Sequence, residues 1–237
     1  MGAEVQSSLL FETPEQIYAR VFRELKPRTP LPEIAIRFRH FVSANSFIRL
    51  NENRLEVKIS DALETAPNSI QEALAQILLA KLFRRPIDQH WNDRYRRYLN
   101  RPDVRKQLTT LRQERGRKQL TSSVGKHHNL DAVFDELNAR FFHGLMSRPQ
   151  LSWSPSRSRS LLGHYDMAHH VIVISRIFDT DCVNRLALEY VLYHEMLHLR
   201  HPVEHKGARR CIHTPAFRAE EKLFPQFDLA KKILRTI

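Results

Sequence analysis

Positions 194–198 read His194-Glu195-Met196-Leu197-His198, a short run that can do hydrolytic chemistry at a metal. On a helix, side chains four residues apart share a face, so His194 and His198 can close on one divalent ion. Glu195 lies beside that pair without joining it, placed to take a proton from a water that the metal activates. With 13 histidines in 237 residues such a run can arise by chance, so the surrounding elements must decide. From Val183 to Leu199 the chain reads VNRLALEYVLYHEMLHL, apolar on nearly every side, which predicts a helix buried in a domain core. Thr180 or Asp181 offers an N-cap, and Pro202 ends the helix just past the motif. Two imidazoles and a carboxylate left unpaired in such a core would cost roughly 1–3 kcal/mol each, and a bound metal removes that cost. The plainer alternative is a core helix whose histidines only hydrogen-bond to their neighbours.

A catalytic zinc takes three protein ligands and keeps one position open. His201 follows His198 too closely to wrap round the metal. Glu204 and His205 fall in HPVEHKGARRC, a polar stretch that predicts a solvated loop, and Cys211 reads by default as a small buried thiol. His213 stands just before a new helical stretch opening at Pro215, and a loop presenting a histidine there can complete the site. Glu220 or Glu221, farther into that helix, remains the alternative as a carboxylate ligand.

In order, the chain carries Leu162-Gly-His-Tyr-Asp166, an apolar strand Val171-Ile-Val-Ile-Ser175, the His-Glu-x-x-His run, and then His213 with Phe217 four residues on. This order resembles the SprT-like zinc metallopeptidases, relatives of Spartan, over roughly residues 128–237. The resemblance implies Zn2+, peptide-bond hydrolysis and the ligand set His194, His198 and His213. Thr214-Pro215 departs from the Gly or Ser that family members often carry after the third histidine, and no four-cysteine ribbon is present.

Composition sets the bounds. At 237 residues and 42% hydrophobic, the chain holds one large or two small domains with a real core. Two cysteines, Cys182 and Cys211, form no disulfide framework. The start, MGAEVQSSLLFETPEQ, lacks the basic-then-apolar pattern of a secretory segment. No apolar run nears the ~18 residues of a membrane span. These features predict a cytoplasmic protein, nucleoid-associated if it binds DNA.

The net charge is +12, and much of it is local. Between positions 94 and 118 there are ten Arg or Lys against Asp103 and Glu114, a local excess of eight positive charges. Arg94, Arg96, Arg97, Arg101, Arg105 and Lys106 lie close to Trp91, Tyr95 and Tyr98. That mixture of cations and rings serves phosphate attraction and base stacking in nucleic-acid sites, so DNA, single-stranded or duplex, is a candidate partner. The alternative is a solvated helical surface whose aromatics face a core.

The second half predicts a helix over Leu130–Leu145, a short strand at Leu151–Trp153, a hairpin of Leu161–Tyr165 with Val171–Ser175, then the motif helix and a final helical stretch. His164, His169 and His170 fall on the hairpin surface and its turn rather than among ligands. The first half repeats the order without the chemistry. Ala19-Arg-Val-Phe22 parallels Ala139-Arg-Phe-Phe142, Phe47–Leu50 with Leu55–Ser60 parallels the hairpin, and Ser69–Phe83 precedes Pro86 as the motif helix precedes Pro202. Aligned on those prolines, Leu78, Leu79 and Leu82 replace His194, Glu195 and His198. We read a duplicated unit whose N-terminal copy is metal-free, the alternative being two unrelated segments of similar order. The expected fold is α+β: a small zincin-like domain at 128–237, with helices on a short antiparallel sheet, preceded by an α+β half at 1–93 and a basic connecting segment at 94–127.

The expected function is a zinc metalloendopeptidase with a protein or peptide substrate and no membrane partner, possible DNA recruitment coming from the basic segment. Glu195 is the general base, and Tyr165 the donor to the developing oxyanion, with Tyr193 less suited because it sits inside the core helix. An extended peptide would pair with the exposed hairpin edge, giving loose sequence preference. The competing class is a nucleic-acid-binding or scaffold protein with a structural zinc.

Overall fold

The structure, a computed structural model, describes residues 12–117 and 119–237. The sequence reading of positions 1–11, and that of Lys118 in the basic run, lie outside the described residues. Among the described residues no helix is long and apolar enough to cross a membrane. The protein is α+β and divides into two compact units. One runs to Gly116 and includes Gly207–Arg209, and the other comprises Arg117–Lys206 and Arg210–Ile237.

In the first unit, α1 (Pro14–Leu25) starts at Thr13, whose hydroxyl accepts from the Gln16 N–H while Gln16 accepts from the Thr13 N–H. Its buried residues Ile17, Tyr18, Val21 and Phe22 form one stripe. Strands β1 (Glu33–Arg39), β2 (Ser46–Asn51) and β3 (Arg54–Ser60) lie in the order β1-β3-β2, β3 being parallel to β1 and antiparallel to β2. The central strand turns Leu55, Val57 and Ile59 inward at period two. Ser60 caps a 3-10 turn at Asp61–Leu63, and α2 (Asn68–Leu82) packs Leu74, Leu78 and Leu79 into the same core.

The expected 94–127 connector is instead folded. Residues 89–115 form α3 (Gln89–Leu99) and α4 (Pro102–Arg115) within the first unit. Apolar residues at helical spacing hide among the cations: Val104 and Leu108 are buried with Ala62, and Tyr95, Tyr98 and Leu99 pack on the main core. The boundary therefore falls at 116/117 rather than at 93/94 and 127/128. Arg115 ties α4 down, its guanidinium donating to both Asp61 oxygens at 2.8 and 2.9 Å. That bond holds the Asp61 carboxyl down at about 2, well below its unfolded value near 4. The folded acid is the stronger one, so the pair stabilises fully above about pH 4 and loses its contribution as pH falls toward about 2. Arg115→Gln should lower the thermal midpoint at pH 7 and have little effect near pH 2, as read by melting curves across that range. A midpoint deficit unchanged by acid would contradict the linkage.

The second unit has α5 (Leu130–Phe142), β4 (Gln150–Trp153), β5 (Gly163–Asp166), β6 (Val171–Ile174), α6 (Arg185–Arg200), the short strands β7 (Glu204–Lys206) and β8 (Arg209–Cys211, less Arg209, which is counted in the first), α7 (Pro215–Glu221) and α8 (Phe227–Thr236). α5 ends earlier than its pattern implied because His143 and Gly144 adopt left-handed backbone. The sheet order is β4-β6-β5. β6 pairs antiparallel with β5 and parallel with β4, so the sheet is mixed rather than antiparallel: the stretch between β4 and β5 carries the chain past the central position before the hairpin forms. β6 is Val-Ile-Val-Ile and buried at every position, as a strand between two neighbours requires. Asn184, not Thr180 or Asp181, caps α6, accepting from the Leu186 N–H at 2.9 Å. The stretch expected as a solvated loop forms β7–β8 around Gly207 at φ +60°.

The repeat read from the sequence is present as topology. Both units run helix, strand, strand, strand, serine-capped 3-10 turn, helix, with identical strand order and pairing. Where α6 carries its histidines, α2 carries core leucines.

Candidate metal centre

His194 and His198 project from successive turns of α6, and their ring centroids lie 5.1 Å apart. His213 comes from the chain just ahead of α7. Thr214 caps that helix by accepting from the Phe217 N–H at 3.1 Å, and Pro215 opens its first turn, so the residue before the cap is held in place. The His213 ring lies 4.9 Å from His194 and 5.0 Å from His198, centroid to centroid. The three rings thus make a nearly equilateral triangle, with one nitrogen from each within 4.8 Å of the others.

The donor set fits a metal ion. Nε2 of His213 and Nε2 of His198 are 3.3 Å apart, and two nitrogens at about 2.0–2.1 Å from a tetrahedral zinc are separated by about 3.3 Å. Burial, helped by the neighbouring His194 and His213, pushes the His198 imidazole down to about 4, which keeps it neutral and its lone pair free. His213 is lowered in the same sense by burial and His194. Phe217, fully buried, places its ring 4.7–5.1 Å from all three imidazoles and closes the side away from solvent.

Glu221, weighed in the sequence as a ligand, stands behind one of the three histidines. Its Oε1 is 2.7 Å from Nδ1 of His194 and accepts the Tyr190 hydroxyl at 2.8 Å. Burial opposes its ionisation, but those two bonds outweigh it and hold the carboxyl down at about 2. An ionised carboxylate only accepts, so the His194 proton sits on Nδ1 and Nε2 is left for the metal. Glu220 turns the other way, bonding His201 at 2.7 Å and Arg200 at 2.9 Å. Tyr190 escaped the sequence reading, although its place four residues before His194 on α6 was the available signal.

Glu195 is buried beside the three histidines. Burial raises its carboxyl to about 7 against the opposing pull of His194 and a backbone hydrogen bond at Tyr165. Gly163 on the edge strand β5 makes this fit possible. A Cβ there would stand 3.0 Å from Glu195 Oε1 and 2.9 Å from Val191 Cγ1, so the strand lies against this turn of α6 only without a side chain.

Tyr165 is not placed as expected. Its hydroxyl bonds Nδ1 of His170 at 3.1 Å across the hairpin end, and only its backbone reaches Glu195. Tyr193 is also committed, its hydroxyl donating to the Glu220 carbonyl at 2.9 Å. His169 pairs with Asp166 on the hairpin. A cavity of about 650 Å³ opens at His194, Glu195 and His213.

The basic residues lie on α3 and α4, with Arg101 at the N-cap of α4, away from this group in sequence and within the first unit. Arg96, Arg97, Arg101 and Lys106 are exposed, whereas Arg94 and Arg105 are half-buried. Arg94 stacks over Trp91 at 5.1 Å, and Arg101 pairs with Asp103. Tyr95 and Tyr98 pack on the core, which leaves Trp91 as the ring of that cluster outside it. Comparison with protein-family models, curated proteins and solved structures finds no match for this chain.

Proposed function

We propose that the second unit is a zinc-dependent endopeptidase of the SprT-like kind. The observation that carries the reading is the convergence of His194, His198 and His213 with a buried acid, Glu195, that none of them uses. A structural zinc takes four protein ligands and has no use for such an acid, whereas three ligands beside a cavity leave a position open for chemistry. The His213–Phe217 spacing in the sequence, with Phe217 packed on the three imidazoles, adds support.

Zinc held by the three imidazoles would supply a Lewis acid that polarises the scissile carbonyl and acidifies water. Glu195 takes the proton of the attacking water on its carboxylate and returns it to the departing amine nitrogen. Glu221 fixes the His194 ring through Nδ1, and the edge of β5 offers backbone groups to an extended peptide, which orients the scissile bond without a deep side-chain pocket. Casein cleavage by the full chain, its loss with a chelator and its return with Zn2+ test this. Cleavage indifferent to the chelator contradicts it.

Gly163→Ala should displace β5 or Glu195 by a few tenths of an ångström and lower kcat about 10-fold while zinc content stays at wild-type level. An unchanged kcat would show that this close contact does not matter. In the first unit, Arg96, Arg97 and Lys106 on α3 and α4 support recruitment to DNA, and with it a nucleoid location. Neutralising all three should weaken DNA binding and reduce the salt slope by about 2–3. An unaltered slope removes the idea.

A further inference from the structure

The cavity at the metal group has two unlike walls. One is the stretch Ser160–Gly163 leading into β5, which presents Leu161, Leu162 and backbone. The other comes from α7 and α8 and presents Arg218, Lys222 and Lys231 beside Phe227 and Leu234. The two acids that line the cavity are already engaged, Glu195 against β5 and Glu221 by His194 and Tyr190. No described carboxylate comes within ion-pair distance of Arg218, Lys222 or Lys231; Glu221 feels the Lys231 charge from farther off, and the Lys231 ammonium rests 4.6 Å over the Phe227 ring. Against the one carboxylate of Glu221 on the same wall, the three cations leave an excess of two positive charges, and an excess gathered in a concave site raises the local potential for an anion more than the same charges spread over a convex surface. A guanidinium and two ammonium groups match a carboxylate, the guanidinium able to hold it with two parallel bonds.

We propose that this wall selects substrates bearing a carboxylate close to the scissile bond, received by Arg218, Lys222 and Lys231, with an adjacent apolar side chain taken by Leu161, Leu162 and Phe227. The inference rests on the peptidase reading and names the substrate class of that site. A peptide paired with the β5 edge turns alternate side chains to opposite sides, so every second residue can reach across to the cationic wall. The carboxylate can come from an internal Asp or Glu or from the peptide's own C-terminus.

The test is binding without turnover. The zinc-loaded full chain carrying Glu195→Gln is titrated with fluorescent peptides that differ only in Glu against Gln, or in a free against an amidated C-terminus. One carboxylate form should bind about 10-fold more tightly at low salt, the arm that shows it naming the source, and added salt should shrink the gap. Adding Lys222→Glu and Lys231→Glu together should abolish or invert that preference. Equal affinity in both arms overturns the proposal. So does a preference that survives the charge reversal, since the carboxylate would then sit on the metal itself. The wild-type chain, given the same peptides, separates the two ideas. Preference without cleavage keeps the subsite and sinks the peptidase reading, and cleavage without preference does the reverse.

Discussion

Glu195→Gln is expected to keep one zinc per chain and to lose proteolysis by about 10²–10⁴-fold, the usual worth of a positioned general base. The substitution retains size and burial but removes the group that accepts the proton. Because Glu195 is buried against Gly163 and shares its turn of α6 with a ligand, the neutral amide fits the same space with little change to the histidines. Zinc by elemental analysis and rate by peptide cleavage therefore separate cleanly. Activity equal to wild type would refute the base assignment, and loss of zinc with activity would make Glu195 a structural residue.

The two neighbouring acids Glu220 and Glu221 should behave differently. Glu221→Ala strips the acceptor from His194 Nδ1 and from the Tyr190 hydroxyl, leaving two partly buried donors unsatisfied. Zinc affinity should fall about 10–100-fold, the cost typical of removing the carboxylate behind a ligating histidine. Glu220→Ala disturbs His201 and Arg200 instead and should leave zinc affinity within about 2-fold. Competition with a chromophoric chelator measures both. Equal losses in the two variants would contradict the arrangement, and a loss in Glu221→Ala as complete as in His213→Ala would make Glu221 a ligand after all.

Much of the site was legible because it lies on regular spacing. The four-residue interval of His194 and His198 and the Pro215 helix start beside His213 are local signals, and local signals survive in a single sequence. The repeat was legible for the same reason, since apolar runs, turns and prolines recur in the same order in both halves. The misplaced features are those set by side-chain geometry that helical spacing does not record, whether the partner is five residues away or far along the chain. The Tyr165 hydroxyl is drawn to His170 by hairpin geometry, and the role of Glu221 depends on a partner 27 residues away. The charge run of α3 and α4 hid the apolar positions Val104 and Leu108, whose burial makes those helices part of a domain. The parallel pairing of β4 with β6 was likewise invisible, because nothing in either strand records which edge its partner takes.

Metal stoichiometry tests the central claim most directly. The full chain, purified without chelator and analysed for bound metals, should carry one zinc per molecule, or take up one when Zn2+ is offered. His213→Ala should carry far less while still melting cooperatively. A wild-type chain that neither holds nor accepts zinc, or a His213→Ala variant that holds it as firmly as wild type, would contradict the three-histidine centre.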